Sequence, residues 1–128
     1  MGPKETGNFG EKVACKYLRA KGYEILETNY SKICDSKLRG EIDIIAKKEG
    51  VIHFVEVKSQ KASAFGGSFL AEDRVNFKKK RQLIKFSQKW LSENNLALDS
   101  KWQIDVISVK IDFKNKKAKI RHFENAVF

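Results

Sequence analysis

The chain has 128 residues, 41% of them hydrophobic and including nine Phe and two Trp, so it can bury one core. Its net charge of +10, from 26 Lys and Arg against 16 Asp and Glu, predicts a polyanionic partner; the alternative is a soluble basic protein. No apolar run approaches the roughly 18 residues of a membrane-spanning helix, and the first residues lack a signal-peptide pattern. Two cysteines, Cys15 and Cys34, are too few for a disulfide framework. We therefore expect one cytoplasmic domain, residues 1–128, without membrane contact.

The first predicted element is an amphipathic helix over residues 6–21. Glu11 precedes Ala14 and Cys15 by three and four residues, which places it on or beside the buried face of that helix. Two explanations stay open for this glutamate. It either interacts favourably with the helix dipole or supplies an acidic group to a functional site.

A strand over Tyr23–Thr28 and a polar connection over Asn29–Arg39 are predicted next. They lead to a β-hairpin whose strands, Gly40–Ala46 and Val51–Lys58, are joined by the turn Lys47–Gly50. Side chains alternate between the two faces of a strand. Both faces of the second strand are mostly apolar, as expected of a strand that is covered on both sides.

Charged residues near the ends of these hairpin strands indicate a site. Glu41 and Asp43 share one face of the first strand, and Glu56 and Lys58 share one face of the second. Buried carboxylates are costly unless a cation compensates them. We predict Mg²⁺ or Mn²⁺ bound by Asp43 and Glu56, with the Val57 carbonyl as a third ligand and Lys58 orienting the attacking water. The alternative is a Glu56–Lys58 salt bridge with a solvated Asp43.

The small, polar residues of Ser59–Ser68 predict a mobile loop that contacts substrate. A second helix is predicted over residues 77–94, with Asn76 as its N-cap. Its first turn is basic, where the helix dipole disfavours cations, so these side chains are predicted to bind phosphate or else form a solvated turn. The candidate nucleic-acid contacts are Lys61, Lys78, Lys79, Lys80 and Arg81.

Two further strands are predicted at Trp102–Ile111 and Ala118–Phe123. Asp105 interrupts the first of them, and we expect it to bind an Arg or Lys structurally rather than to belong to the site. His53 and His122 are interpreted as packing or surface residues, because no second His or Cys lies at metal-ligand spacing.

Asp43 followed by Glu56-Val57-Lys58 resembles the PD-(D/E)XK nuclease signature. The whole chain resembles the YraN-like family of small bacterial proteins. The matching pieces are Gly10-Glu11, Ala14, Tyr17-Leu18, Gly22–Leu26, Asn29, Gly40–Ala46, Phe54–Lys58, Lys79, Trp90-Leu91, Asp105–Ile107 and Asn125-Ala126. The resemblance implies an α/β, restriction-endonuclease-like fold with a mixed central β-sheet of about five strands flanked by α-helices, similar to archaeal Holliday-junction resolvases. Gln60 stands where relatives usually carry Arg, and Lys61 is the candidate to replace that charge.

The sequence is interpreted as a Mg²⁺- or Mn²⁺-dependent endonuclease that hydrolyses phosphodiester bonds in structured or branched DNA. Catalytic roles fall to Asp43, Glu56, Lys58 and Glu11, the last of which completes the acidic group. DNA is favoured over RNA, and a homodimer is considered because a resolvase needs two sites. The alternatives are a catalytically inactive nucleic-acid-binding module on the same scaffold and a protein-interaction or assembly factor.

Overall fold

Two helices and five strands make up the part of the chain that the structure describes. The structure is a computed structural model, and it describes residues 3–33, 39–61, 77–97 and 99–126. The elements, in chain order, are α1 (Pro3–Ala20), β1 (Glu24–Ile33), β2 (Arg39–Lys48), β3 (Val51–Lys61), α2 (Phe77–Glu93), β4 (Trp102–Asp112) and β5 (Lys117–Phe123).

The strands form one mixed sheet in the order β1-β2-β3-β4-β5 within the described residues. Neighbouring strands are antiparallel except for β3 and β4, which run parallel. A parallel pair needs a crossover connection, and α2 lies in the segment that joins these two strands. The predicted α/β class with a five-stranded mixed sheet is confirmed, and it is consistent with a restriction-endonuclease-like fold.

The two helices cover opposite faces of this sheet. Ala14 and Leu18 of α1 are fully buried in one apolar cluster with Val55 of β3, as the helical periodicity predicts. Phe86 of α2 and Phe54 of β3 belong to a second cluster. Each fully buried side chain of this size contributes about 1.5–3 kcal/mol relative to an exposed one. The sheet is thus the central layer, and side chains of β3 alternate between the two cores.

Two strands are longer than their composition indicates. Polar residues from Asn29 onward were expected to form a connection, but β1 continues to Ile33 and β2 begins at Arg39. Likewise, residues 59–61 were expected in a loop, but they extend β3 because they pair with β4. Partner strands supply these hydrogen bonds, and such pairing overrides local propensity. The rest of the predicted loop and Asn76 lie outside the described residues.

Asp105 of β4 is fully buried, and the prediction that it binds Arg or Lys is wrong. Its Oδ2 accepts from His53 Nδ1 at 2.7 Å and from His122 Nε2 at 2.8 Å. Its Oδ1 accepts from Gln103 Nε2 at 2.8 Å and from the Asn125 backbone N–H at 2.9 Å. The carboxylate therefore ties β3, β5 and the C-terminal turn to β4. Pairing this charge with two rings rather than a long cation could not be read from spacing.

The helices of the described part do not include one that is long and apolar enough to cross a membrane.

Candidate metal and nucleic-acid site

The candidate site begins where β2 and β3 separate. These strands pair from Lys48↔Val51 to Ile44↔Val55 and no further within the described residues. Beyond that point β2 pairs with β1, and β3 continues beside β4. The Val57 backbone N–H donates to Asp43 Oδ2 at 2.8 Å instead of to a strand carbonyl. A side-chain carboxylate thus replaces a ladder bond and is held in the gap between the two strands.

Three carboxylates from α1 and β2 meet at this gap. Glu11, Glu41 and Asp43, called the acidic cluster below, each place one oxygen within 4.8 Å of the others. The helix-dipole explanation for Glu11 fails because α1 begins at Pro3, so Glu11 lies beyond the first turn, where the dipole effect has declined. The expectation that Glu11 and Asp43 come together is met by this geometry. Glu41 was predicted only to share a face with Asp43.

Asn29 of β1 connects two members of the acidic cluster. It lies between Thr28↔Ile44 and Tyr30↔Ile42 in the ladder, opposite Asp43, and its φ is +54°. With its amide nitrogen towards the carboxylates, Asn29 donates to Glu11 Oε2 at 3.1 Å and to Glu41 Oε1 at 2.8 Å. Asn adopts left-handed backbone more readily than most residues. The sequence signals at this position were a polar residue at the end of a predicted strand and its place among the residues that match the family.

Burial and like charge raise the pKa values of Glu11 and Asp43. The pKa of Glu11 rises from 4.5 to about 7, chiefly through burial and then through the charges of Asp43 and Glu41. Burial also raises the pKa of Asp43, although the Val57 N–H opposes the shift. The Glu11 and Asp43 carboxyl groups each place an oxygen within 4.8 Å of the other, and a proton on Glu11 relieves the repulsion between them. A cation bound here would take over the role of that proton.

Glu56 approaches the gap from the face covered by α2. Its Oε1 lies 3.5 Å from Lys79 Nζ, and the side chain is only 12% exposed. Burial, followed by the charge of Asp43, raises the pKa of Glu56 to about 7, while Lys79 and Lys58 oppose this rise. The other oxygen, Oε2, has no hydrogen-bond partner among the described residues. Glu56 therefore has both Lys58, which was predicted at the metal site, and Lys79, which was predicted as a nucleic-acid contact, as neighbours.

These groups have the chemistry of a divalent-cation site. Carboxylates are hard oxygen ligands of the kind that Mg²⁺ and Mn²⁺ prefer. Repulsion between Glu11, Glu41 and Asp43, and the buried unsatisfied Oε2 of Glu56, are both costs that a cation offsets. The residues present thus fit the metal. The backbone of Val57 contacts Asp43 through its N–H, and its carbonyl stays a predicted ligand.

The predicted basic residues are distributed unevenly around the gap. Lys79 is beside Glu56, and Lys80 and Arg81 follow it in α2. Lys61 is five residues beyond Glu56 in β3, about 16 Å along the strand. Lys78 lies in α2, but its side chain is outside the described part. Nucleic-acid binding by these residues stays a prediction.

A second group that could hold an ion lies at the other end of the sheet. His53, Asp105 and Glu124 also place ligand atoms within 4.8 Å of one another. However, each Asp105 oxygen already accepts two hydrogen bonds. The His53 ring packs edge-on against Tyr23 at 4.9 Å. These contacts satisfy the buried Asp105 carboxylate without a metal ion.

Gly10 allows α1 to approach β3 closely enough for Glu11 to reach Asp43. A Cβ at Gly10 would lie 1.7 Å from Ser59 Oγ and 2.7 Å from Ser59 Cβ. Rotation about χ1 can move the hydroxyl oxygen away, but the Cβ of Ser59 is fixed to the backbone and cannot move without shifting the strand. A glycine in the middle of a helix normally costs about 1 kcal/mol relative to Ala. Here its small size sets the distance between the helix and the sheet.

Gly10→Ala is therefore expected to lower the free energy of unfolding by about 1–3 kcal/mol despite the better helix propensity of Ala. Chemical denaturation measures this change. Ser59→Gly removes both clashing atoms, so the Gly10→Ala/Ser59→Gly protein should recover a large part of the loss relative to Ser59→Gly alone. Gly7→Ala is the matched control, since a Cβ there meets nothing within 4 Å. Equal effects of Gly10→Ala in both backgrounds would contradict the contact.

Comparison with known proteins gives a consistent family match. Residues 10–109 match the profile of "Uncharacterised protein family UPF0102". The chain is similar to a UPF0102 protein of Clostridioides difficile, with 44% identity over 127 residues that cover 98% of this chain and 99% of the relative. It is also similar to a UPF0102 protein of Alkaliphilus oremlandii, with 40% identity over 123 residues, 96% of this chain and 97% of the relative. The matched region includes the acidic cluster, Glu56 and Lys79.

Proposed function

This chain belongs to the UPF0102 family, and we propose that it is a divalent-metal-dependent endonuclease that hydrolyses phosphodiester bonds, with structured or branched DNA as the favoured substrate. The observation that carries the proposal is the meeting of the acidic cluster, Glu56 and Lys79 at the gap between β2 and β3. Carboxylates beside lysines suit phosphoryl transfer. A nucleophile must approach a negatively charged phosphate, and cations must neutralise the charge of that phosphate.

Mg²⁺ or Mn²⁺ would be held by Asp43 and Glu11, with Glu41, Glu56 and the Val57 carbonyl as further ligands. When bound, such an ion lowers the pKa of a coordinated water and stabilises charge on a phosphoryl group. The protein's own contribution is to hold the ligands in place. Val57 fixes Asp43 through its N–H at 2.8 Å, and Asn29 fixes Glu11 and Glu41 through its amide.

Two lysines supply positive charge at the same place. Lys58 lies two residues after Glu56 on β3 and is close enough to lower its pKa. Its proposed role is to orient the attacking water and offset phosphate charge. Lys79 pairs with Glu56 from α2 and is 39% exposed, so a phosphate can reach its ammonium group. The net charge of +10 supports a polyanionic substrate.

Cleavage of labelled nucleic acids tests this function. Four-way junction, flap, single-stranded and duplex DNA, with RNA counterparts, would be incubated with purified protein in Mg²⁺ or Mn²⁺, and with Lys58→Ala as the control protein. We expect metal-dependent cutting of branched DNA that Lys58→Ala loses. Binding without cutting would reject hydrolysis in favour of a nucleic-acid-binding module. If neither occurs, an assembly role with a protein partner replaces the proposal, and its association should be insensitive to salt.

A further inference from the structure

A groove lined mostly by polar and charged residues runs along α1 beside the acidic cluster. It has a volume of about 460 Å³, and its lining residues come from α1 and from β1. Glu11 and Asn29, which belong to the candidate site, are part of this lining. The groove is within the size range of small-ligand sites, about 300–1,000 Å³. It is therefore continuous with the place where hydrolysis is proposed.

One face of α1 runs the length of the groove. Glu11, Cys15 and Arg19 are four residues apart and lie on the same side of the helix. Glu11 is eight residues from Arg19, which is about 12 Å at 1.5 Å per residue. That distance equals the rise of about three to four stacked nucleotides at 3.4 Å per nucleotide. A strand whose scissile phosphate lies at the acidic cluster would reach Arg19 a few nucleotides away.

The side chains along the groove suit a sugar–phosphate backbone. Lys12 and Arg19 are exposed, and neither forms an ion pair within the described part of the chain. Thr28 of β1 adds a hydroxyl group, and Asn8 adds an amide. None of the lining residues in the described part is aromatic, so the groove offers no platform for stacking bases. Contacts to phosphate and sugar position a strand without reading its sequence.

We propose that this α1–β1 groove binds the nucleic-acid strand that flanks the scissile phosphate, and that Arg19 contacts a backbone phosphate about three nucleotides from it. The assignment rests on the proposed function for the position of the scissile phosphate. Lys12 provides a second cationic contact beside Glu11. The groove holds the nucleic acid through its sugar–phosphate backbone, so binding is independent of base sequence.

Cys15 allows the occupant of the groove to be mapped without cleavage. It lines the groove and is half-buried, and burial raises the pKa of its thiol. In a Cys34→Ser protein it is the remaining cysteine of the two in the chain. Its alkylation by N-ethylmaleimide at pH 8.5 would be followed by mass spectrometry in EDTA, with and without a mixed-sequence 12-nucleotide single strand. We expect a saturating oligonucleotide to slow alkylation at least fivefold.

Arg19→Gln is expected to weaken oligonucleotide binding about tenfold, the scale of one charge-assisted contact. Lys101→Gln is the matched control because it removes one exposed charge just before β4, at the end of the sheet away from the gap, and should change the affinity less than twofold. Adenine-rich and cytosine-rich strands should bind within threefold of each other. In cleavage assays, shortening the substrate to fewer than about three nucleotides on one side of the scissile bond should remove the effect of Arg19→Gln.

The two proposals fail in different ways. Unprotected Cys15 with a bound oligonucleotide, or equal affinity of Arg19→Gln and Lys101→Gln, would overturn the groove assignment even if the protein cleaves DNA. Absence of any oligonucleotide binding would overturn it as well. Protection of Cys15 and a tenfold effect of Arg19→Gln without hydrolysis in Mg²⁺ or Mn²⁺ would support the groove and reject the nuclease.

Discussion

Asp43→Asn is expected to reduce phosphodiester hydrolysis about 10³-fold, the scale of the several kcal/mol that a catalytic metal supplies. The amide oxygen can still accept the Val57 N–H that Asp43 Oδ2 accepts at 2.8 Å. Its NH₂ group, however, replaces the second carboxylate oxygen of Asp43, so the metal loses one anionic ligand. Cleavage rates of the two proteins under saturating metal measure the effect.

The same substitution should leave the fold intact or make it more stable in EDTA. It removes a buried charge next to Glu11 and Glu41, whose ligand atoms lie within 4.8 Å of that of Asp43. Mg²⁺ or Mn²⁺ should raise the thermal unfolding midpoint of the unmodified protein, because a ligand that binds only the folded state stabilises it. The increase should shrink in Asp43→Asn.

Asp99→Asn is the matched control, since it makes the same chemical change at an exposed position and should alter neither cleavage nor the metal-induced shift. Normal cleavage by Asp43→Asn would reject Asp43 as a ligand. A large loss of stability in EDTA would instead show that its carboxylate is mainly structural.

The second large effect is expected at Asp105, where Asp105→Asn should lower the free energy of unfolding by about 3–5 kcal/mol. All four donors to this carboxylate, two on each oxygen, come from different residues. An Asn side chain has one oxygen, so its NH₂ group must face either the Gln103 and Asn125 donors or the two histidine rings, which could accept from it only if both changed tautomer. A buried donor left without an acceptor costs about 1–3 kcal/mol. Urea denaturation measures the loss.

Acid should weaken this network and so lower the free energy of unfolding. The hydrogen bonds from His122 and His53, helped by those from Asn125 and Gln103, lower the pKa of Asp105 below its ordinary value of 3.8 although burial opposes them. A carboxylate with a lowered folded-state pKa contributes stability that is fully present above its unfolded-state pKa. This contribution is lost as the pH falls from about 3.8 towards the folded-state pKa. Below pH 4, the free energy of unfolding should therefore decrease less in Asp105→Asn than in the unmodified protein.

Asp112→Asn provides the control for both measurements. It removes a carboxylate from the exposed end of the same strand, and its effect on unfolding in urea should be small. If Asp105→Asn unfolds at the same urea concentration as Asp112→Asn, the buried network does not stabilise the fold.

Most of the secondary structure could be predicted from local patterns. The helix expected over residues 6–21 occupies Pro3–Ala20, and the helix expected over residues 77–94 occupies Phe77–Glu93. Both contain apolar residues at helical spacing, and that signal lies within the segment itself. The ends of β1 and β3 could not be predicted in the same way. Their polar residues become strand because neighbouring strands pair with them.

The candidate site was only partly predictable. Asp43, Glu56 and Lys58 stand out as charges in apolar strands, and their positions along the chain are sufficient to propose a metal site. The role of Asn29 depends on a left-handed backbone opposite Asp43 and on two partners from α1 and β2. Nothing in its local sequence identifies those partners.

The sequence by itself determined the helices, the cores of the strands, the strong positive charge and the family resemblance, because periodicity, composition and motifs are properties of residues near one another in the chain. Only the tertiary structure decided that β2 and β3 part after Ile44 and that Gly10 brings Glu11 over this gap. It also decided that Asp105 binds two histidines rather than a lysine or arginine. The physical reason is that each of these contacts joins residues distant in the chain, whose distances are set by how the helices pack on the sheet.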